Sequence, residues 1–284
     1  MQCTDYFVSG EKFNIKSCDN CGLKITEDAE DESTIGKYYQ SEKYISHSNT
    51  SKGLVNAIYQ AVRTYMLGRK RRLVEKITGL ATGNILDIGA GIGFFLNEMA
   101  QHGWHVSGTE KSEAARNFAS ENFTLSISPV ETLFEMKSGH FDVITLWHVL
   151  EHVQQLNVNF EKIKELLKPD GKLLIAVPNN TSYDAQHYKE YWAAWDVPRH
   201  LWHFGPAQMK LLGEKHKMKL KSMHTMPFDA FYVSILSEKY KKSKLALLKG
   251  FFYGKLSWWK SISKPGNCSS LIYVFERNEF AEKD

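Results

Sequence analysis

The residues of this 284-residue chain best able to do chemistry begin with Leu86-Asp87-Ile88-Gly89-Ala90-Gly91-Ile92-Gly93, followed by the apolar run Phe94-Phe95-Leu96. Glycine permits sharp turns and close approach of a ligand to the backbone. A helix opening behind such a turn offers unpaired N–H groups to a carboxylate. The dinucleotide fingerprint spaces its glycines G-x-G-x-x-G, and its third position here is Phe94. A pyrophosphate needs closer helix packing than Phe94 and Phe95 permit. The D-x-G-x-G-x-G spacing therefore favours a nucleoside carrying an amino acid over NAD.

Two further groups contain histidine, the side chain best suited to proton transfer near neutral pH. One is His148-Val149-Leu150-Glu151-His152. The other is the stretch Tyr191 to Phe204, which holds Trp192, Trp195, Asp196, Arg199, His200, Trp202 and His203. His200 and His203 are candidate catalytic bases. Trp195 and Arg199 are candidate acceptor-binding residues, with Arg199 either binding an anionic group or pairing internally with Asp196. A self-packed aromatic loop is the alternative. Trp and Tyr crowding suggests a flat or hydrophobic acceptor.

The elements that must position these groups follow from hydrophobic period. Apolar residues three or four apart from Ser51 to Ile77, among them Leu54, Ile58 and Val62, predict a helix. Runs at Asn84–Ile88, His105–Thr109, Phe141–Trp147 and Leu173–Val177 predict strands buried on both faces. Helices are predicted between them at Ile92–His102, Ser112–Asn122 and Val153–Leu167, and Lys168-Pro169-Asp170-Gly171 predicts a turn. Such alternation implies a doubly wound α/β fold with a mostly parallel sheet. Further on, a helix is expected at Ala207–His216, a strand at Lys219–Thr225, a basic helical region at Phe228–Ile262 and a last strand at Ser270–Phe275.

The glycine stretch resembles motif I of class I S-adenosylmethionine-dependent methyltransferases, and the similarity runs from about Asn84 to Arg277. It implies a Rossmann-like, seven-stranded, mostly parallel sheet with its last strand antiparallel. It also implies S-adenosyl-L-methionine as cofactor, held by Asp87, Gly89, Gly91 and Gly93. Glu110, at the end of the next strand, would accept both ribose hydroxyls. The stretch that usually carries an adenine-binding acid has Pro129 in its place, so Ser128, Glu131 or the backbone of Val130 would read the ring. Trp147 and His148 would line the pocket, with His148 a third catalytic candidate. The HVLEHV segment is similar to that of ubiquinone-pathway O-methyltransferases, in which an acid, a Glu and a His can hold a divalent metal. Here His148 takes the first position, so only Glu151 and His152 match; helix capping is their alternative role, and no metal is expected. A related Asp196-x-Pro198-Arg199-His200-Leu201 segment occurs in a broad methyltransferase subgroup.

Methyl transfer from a sulfonium is an in-line displacement whose thioether leaving group is neutral. The enzyme must align the acceptor and, for an oxygen or nitrogen, remove its proton. The expected function is methylation of a small molecule, at oxygen. A catalytically silent cofactor-binding protein and an RNA methyltransferase are the alternatives. A formal net charge of +4 with scattered Lys and Arg argues against nucleic acid. The one early cluster, Arg69-Lys70-Arg71-Arg72, reads as a solvated helix face or a phosphate contact.

Hydrophobic content of 43% fits a globular protein with a sizeable core. The opening residues show no secretory signal, and four cysteines make no disulfide framework, so a cytoplasmic setting is expected. Residues 1–50 are expected to form an N-terminal extension with a Cys18-x-x-Cys21 turn, too few thiols for a closed zinc site. The extension also carries the acidic patch Glu27 to Glu32, and Tyr38, Tyr39 and Tyr44, which either pack in a core or fold over the cofactor. Residues 51–284 would form the methyltransferase domain, with core 84–227, helical insertion 228–262 and final strand 270–276. The basic, aromatic stretch 243–262 could cover the substrate pocket or contact a membrane peripherally.

Overall fold

The computed structural model describes residues 1–27, 29–31, 34–39 and 54–278, the side chains of 54–59 excepted. Tyr44, Asp28, Glu32 and the side chains of Leu54 and Ile58 therefore lie outside the described residues.

In chain order the strands are β1 (Gln2–Thr4), β2 (Lys12–Ser17), β3 (Lys24–Thr26), β4 (Asn84–Ile88), β5 (His105–Thr109), β6 (Ile127–Ser128), β7 (Phe141–Trp147), β8 (Leu167–Pro178), β9 (Trp202–His203), β10 (Met218–Thr225) and β11 (Ser270–Arg277). The α-helices are α1 (Leu54–Thr78), α2 (Phe94–Gln101), α3 (Glu113–Phe123), α4 (Leu156–Leu166), α5 (Tyr183–Tyr188), α6 (Pro206–Lys215), α7 (Asp229–Tyr240) and α8 (Ala246–Ser263). Seven strands form one sheet in the order β10-β11-β8-β7-β4-β5-β6, and β1-β2-β3-β9 form a second. β4 pairs parallel with both β5 and β7, and β5 pairs parallel with β6. The expected Rossmann-like sheet is present.

The chain divides into two compact units. Of the described residues, one contains 54–147, 157–174 and 275–278. Its central strands are apolar on both faces: Ile85, Leu86, Val143, Ile144 and Leu146 are fully buried. Gly108 in β5 lets Leu96 pack close, since a Cβ there would lie 2.5 Å from Leu96 Cδ1 and force that side chain to shift. The turn expected at 168–171 lies instead inside β8. Lys168 Nζ is drawn to Asp142 Oδ1 at 2.7 Å, and Gly171 fits between the carbonyls of Lys168 and Phe141, where a side chain would collide.

The other unit contains the described residues up to Tyr39, with 148–156 and 175–274. It includes the antiparallel N-terminal sheet, in which Ile15 faces Thr26 and Ile25 faces Trp202. The opening residues are thus a small sheet, built from strands too short to show a period in the sequence. Its core gathers Phe13, Ile15, Tyr38, Trp192, Trp195 and Val197. The basic helical region resolves into two helices, α7 and α8, broken at Lys241–Leu245.

Candidate functional site

In the first unit, Asp87, next to last in β4, is buried and accepts a hydrogen bond from Thr145 Oγ1 of β7 at 2.6 Å. Burial pushes the Asp87 carboxyl up to about 7, against the Thr145 hydrogen bond and the nearby Lys70 charge. The turn follows with Gly89, Gly91 and Gly93 all at positive φ, a conformation that favours glycine. The two later glycines do different work. A Cβ on Gly93 would sit 2.9 Å from Ala119 Cβ, so Gly93 lets α2 begin against α3. A Cβ on Gly91 would meet no atom within 4 Å, so open space lies beside this turn.

Glu110 follows β5 and faces the same turn. Its Oε2 accepts the Gly91 N–H and its Oε1 the Ser112 N–H, each at 2.9 Å. The carboxylate is thereby fixed beside the open space. Ser112 caps α3 through its hydroxyl, which accepts the Ala115 N–H. The Glu110 N–H donates to the Ser128 carbonyl, bringing the start of the Val130–Glu135 turn of 3-10 helix alongside.

Lys70 is the residue the sequence did not single out here. On α1, its Nζ lies 4.2 Å from the Trp147 ring centroid and 5.9 Å from that of Phe95. Its neighbour Arg71 is largely buried and is paired with Glu75 and Glu98. The separate environment of Lys70 was hidden because the four basic residues are contiguous in sequence.

In the second unit, His148 opens at φ 58, a left-handed backbone rare for a side-chain-bearing residue. Its Nδ1 lies 3.4 Å from Glu151 Oε1 and its Nε2 lies 3.2 Å from Asp229 Oδ2. Burial opposes the imidazolium, but the two carboxylates prevail and raise His148 to about 10. Asp229 was not anticipated, because it reaches His148 from α7, 81 residues onward in the sequence.

Glu151, His152 and His200 each present one ligand atom within 4.8 Å of the others. His152 Nδ1 is 2.9 Å from the Arg199 carbonyl, and His200 Nδ1 is 2.9 Å from the Ala194 carbonyl. Donation from Nδ1 leaves each Nε2 with its lone pair, an arrangement that suits proton or metal binding. Neither Glu151 oxygen has a hydrogen-bond partner among the described residues, although the carboxylate is buried. His152 is pushed down to about 4, first by burial and then by His200. The structure thus joins His200 to the Glu151–His152 pair, whereas His148 sits on the far side of an ion pair with Glu151.

The remaining candidates are structural in their contacts. Arg199 is buried, bonds Asp196 through Nε and Nη2, bonds Asp5 through Nη2 at 2.9 Å, and donates from Nη1 to the Tyr38 carbonyl. Of the two roles expected for it, internal pairing is the one observed. Asp5 in turn caps the turn that follows β1 by accepting the Phe7, Val8 and Ser9 N–H groups. Trp195 is buried edge-on to Trp192 and His203. His203 is enclosed, with Nε2 2.9 Å from Thr26 Oγ1, and burial holds it well below its usual range. Tyr38 packs against Phe13 in the core, while the Tyr39 hydroxyl lies 3.2 Å from His152 Nδ1. Cys18 and Cys21 are free thiols flanking a tight turn closed by Gly22 N–H to the Cys18 carbonyl.

A family model described as a methyltransferase domain matches residues 60–219. The ubiquinone biosynthesis O-methyltransferase of Actinobacillus pleuropneumoniae serotype 5b is 38% identical over 119 residues, covering 38% of this chain and 50% of the relative. The protein of that name from Acinetobacter baylyi is 30% identical over 113 residues, covering 37% and 48%. The chain therefore spans about half the length of the curated relatives it matches. Among solved structures, geranyl diphosphate C-methyltransferase from Streptomyces coelicolor, in complex with Mg2+, geranyl diphosphate and S-adenosyl-L-homocysteine, superposes with TM-score 0.56 at 11% identity, over 81% of this chain and 86% of that one. That likeness concerns the fold.

Proposed function

This chain belongs to the methyltransferase domain family, and from that premise we propose that it transfers the methyl group of S-adenosylmethionine to a small molecule, at oxygen. The observation that carries the reading is the pairing of Glu110 with Gly91 beside a turn that has open space. Glu110 supplies a carboxylate for the two ribose hydroxyls. The N–H groups at the start of α2 and the Lys70 ammonium suit the methionyl carboxylate. Gly89 and Gly91 let the ligand approach the backbone, and Val130 offers main chain to adenine. Trp147 supplies an aromatic face near the sulfonium, an attraction of the cation–π kind. Oxygen as the acceptor atom is supported by the name of the curated relatives.

On the acceptor side, His200 is assigned as the residue that takes the proton. Its Nδ1 is committed to the Ala194 carbonyl, and Asp196 Oδ2 lies 3.9 Å from Nε2, where a carboxylate steadies the imidazolium as it forms. His148 is assigned a positioning role, because both ring nitrogens already face carboxylates. His203 and Arg199 hold the loop that carries His200. The test is His200→Ala, which should bind S-adenosylhomocysteine as the wild type does yet lose at least about a hundredfold in turnover. Normal turnover would remove His200 from the mechanism.

A second reading is favoured by the buried Glu151 carboxylate, which makes no hydrogen bond among the described residues beyond its ion pair with His148: Glu151, His152 and His200 fit a divalent ion as a His-His-carboxylate set. Such an ion would supply a Lewis acid for an acceptor oxygen. Stoichiometric metal in the purified chain, lost in Glu151→Gln, would favour it over His200 acting alone.

A further inference from the structure

Helix α8 is built inside out. Its buried residues are Gly250, Gly254, Ser257 and Ser261, a stripe of small side chains at spacings of four, three and four. That stripe faces α7 so closely that a Cβ on Gly250 would lie 2.3 Å from Ile235 Cα, and one on Gly254 would lie 2.7 Å from Phe231 Cα. Ser257 completes the seat by donating to the buried Asp184 carboxylate at 2.9 Å. The large apolar residues are left outside. Leu247, Leu248, Phe251, Phe252, Trp259 and Ile262 are each more than half exposed. At about 100° per residue these six fall within an arc of about 140° on one side of the helix. A soluble helix normally buries such a stripe and exposes its small and polar residues.

Charge says what covers this face. Between Glu238 and Glu276 the sequence contains no Asp or Glu but eight lysines: Lys239, Lys241, Lys242, Lys244, Lys249, Lys255, Lys260 and Lys264. Lys249 and Lys260 lie together beyond one edge of the apolar arc, and Lys255 lies within it on a stem long enough to carry its charge outward. A second copy of the chain would set these lysines against their like. No described helix is long and apolar enough to cross a membrane. An 18-residue helix, about 27 Å long, with exposed aromatics and a lysine border has the features of a segment lying in the plane of a bilayer.

We propose that the outer face of α8 docks on an anionic phospholipid surface, with Phe252 and Trp259 among the inserted anchors and the lysines drawn to the headgroups. The contact is peripheral and needs both parts, since apolar insertion holds the helix and charge selects the lipid.

The test is flotation of the full chain with vesicles of phosphatidylcholine alone and of equimolar phosphatidylcholine and phosphatidylglycerol. Binding is expected only to the second, released by salt, with a blue shift of tryptophan emission. The variant Phe252→Ser/Trp259→Ser should lose at least about tenfold in partitioning, and Lys249→Glu/Lys260→Glu a similar amount. Both variants change exposed residues, and unchanged circular dichroism and melting confirm that they fold. The proposal is overturned if wild type floats with neither vesicle, if it binds both equally, or if the two folded variants bind as wild type does. A dimer in light scattering that the Phe252→Ser/Trp259→Ser variant abolishes, without vesicle binding, would instead assign the face to a second copy.

Discussion

Glu110 closes the glycine turn from the end of the neighbouring strand β5: its Oε2 holds the Gly91 N–H at 2.9 Å, joining residues 19 apart in the chain. The carboxylate is in place before any ligand arrives, so little ordering remains to be done on binding. Preorganisation of this kind raises affinity by cutting entropic loss.

Replacing that carboxylate tests its role. Glu110→Ala should weaken S-adenosylhomocysteine binding by about tenfold to a hundredfold, the range for hydrogen bonds to a charged group. Glu110→Gln should fall between, since an amide accepts at only one position. Calorimetric titration gives both values, and an unchanged Kd in Glu110→Ala would remove Glu110 from the ribose site.

Gly91 and Gly93 should separate binding from folding. Gly91→Val adds its side chain to open space, so it should block the cofactor while costing only about 1–2 kcal/mol for the left-handed backbone. Gly93→Ala meets Ala119 Cβ and Leu125 Cδ1, so it should lower Tm more than Gly91→Ala does. Equal melting of the two alanine variants would contradict the division of labour.

Much of this site was legible in the sequence because it is local. Asp87, Gly89, Gly91 and Gly93 lie in one turn, Glu110 follows the next strand, and the resemblance to class I methyltransferases implied that they act together. The strands β4 and β7 showed as apolar runs because both their faces are buried, whereas β5, expected to be buried on both faces, is exposed at His105 and only partly buried at Val106 and Ser107. What the sequence hid depends on distant contacts. Asp229 meets His148 from α7, Asp5 meets Arg199 from a turn 194 residues away, and Lys70 is one of four consecutive basic residues that sequence cannot tell apart. The N-terminal sheet was missed because three of its four strands have two or three residues, too few for a period.

Asp87 should leave a pH signature on stability. Its carboxyl is raised to about 7 in the folded chain, so between about pH 4 and 7 the folded state holds a proton that the unfolded state has lost. Stability of the ligand-free protein from this group is therefore greatest at the acid end of that window, and falls as pH rises through 7. Asp87→Asn keeps the Thr145 hydrogen bond but cannot ionise, so its Tm should gain on wild type as pH rises, while cofactor affinity falls. A parallel pair of Tm–pH curves would contradict this.

Arg199 should matter to stability before it matters to turnover. Arg199→Ala strands two carboxylates, Asp5 and Asp196, one of them buried with the arginine, and removing one partner of a buried pair costs about 3–5 kcal/mol. Despite burial, hydrogen bonds to Arg199 hold both acids below their ordinary range in the folded chain. The stabilisation they give is thus present above about pH 4 and lost as pH falls below it. Chemical denaturation should show a large wild-type advantage at neutral pH that narrows in acid; a constant gap would point to lost packing instead.

The most direct test of the account is a calorimetric titration of the full chain with S-adenosylhomocysteine, run beside NADH and beside the Gly91→Val variant. The account predicts one site per chain for S-adenosylhomocysteine, no heat with NADH, and no binding in the folded variant. Saturating S-adenosylhomocysteine without binding, or with binding that Gly91→Val leaves intact, would contradict it.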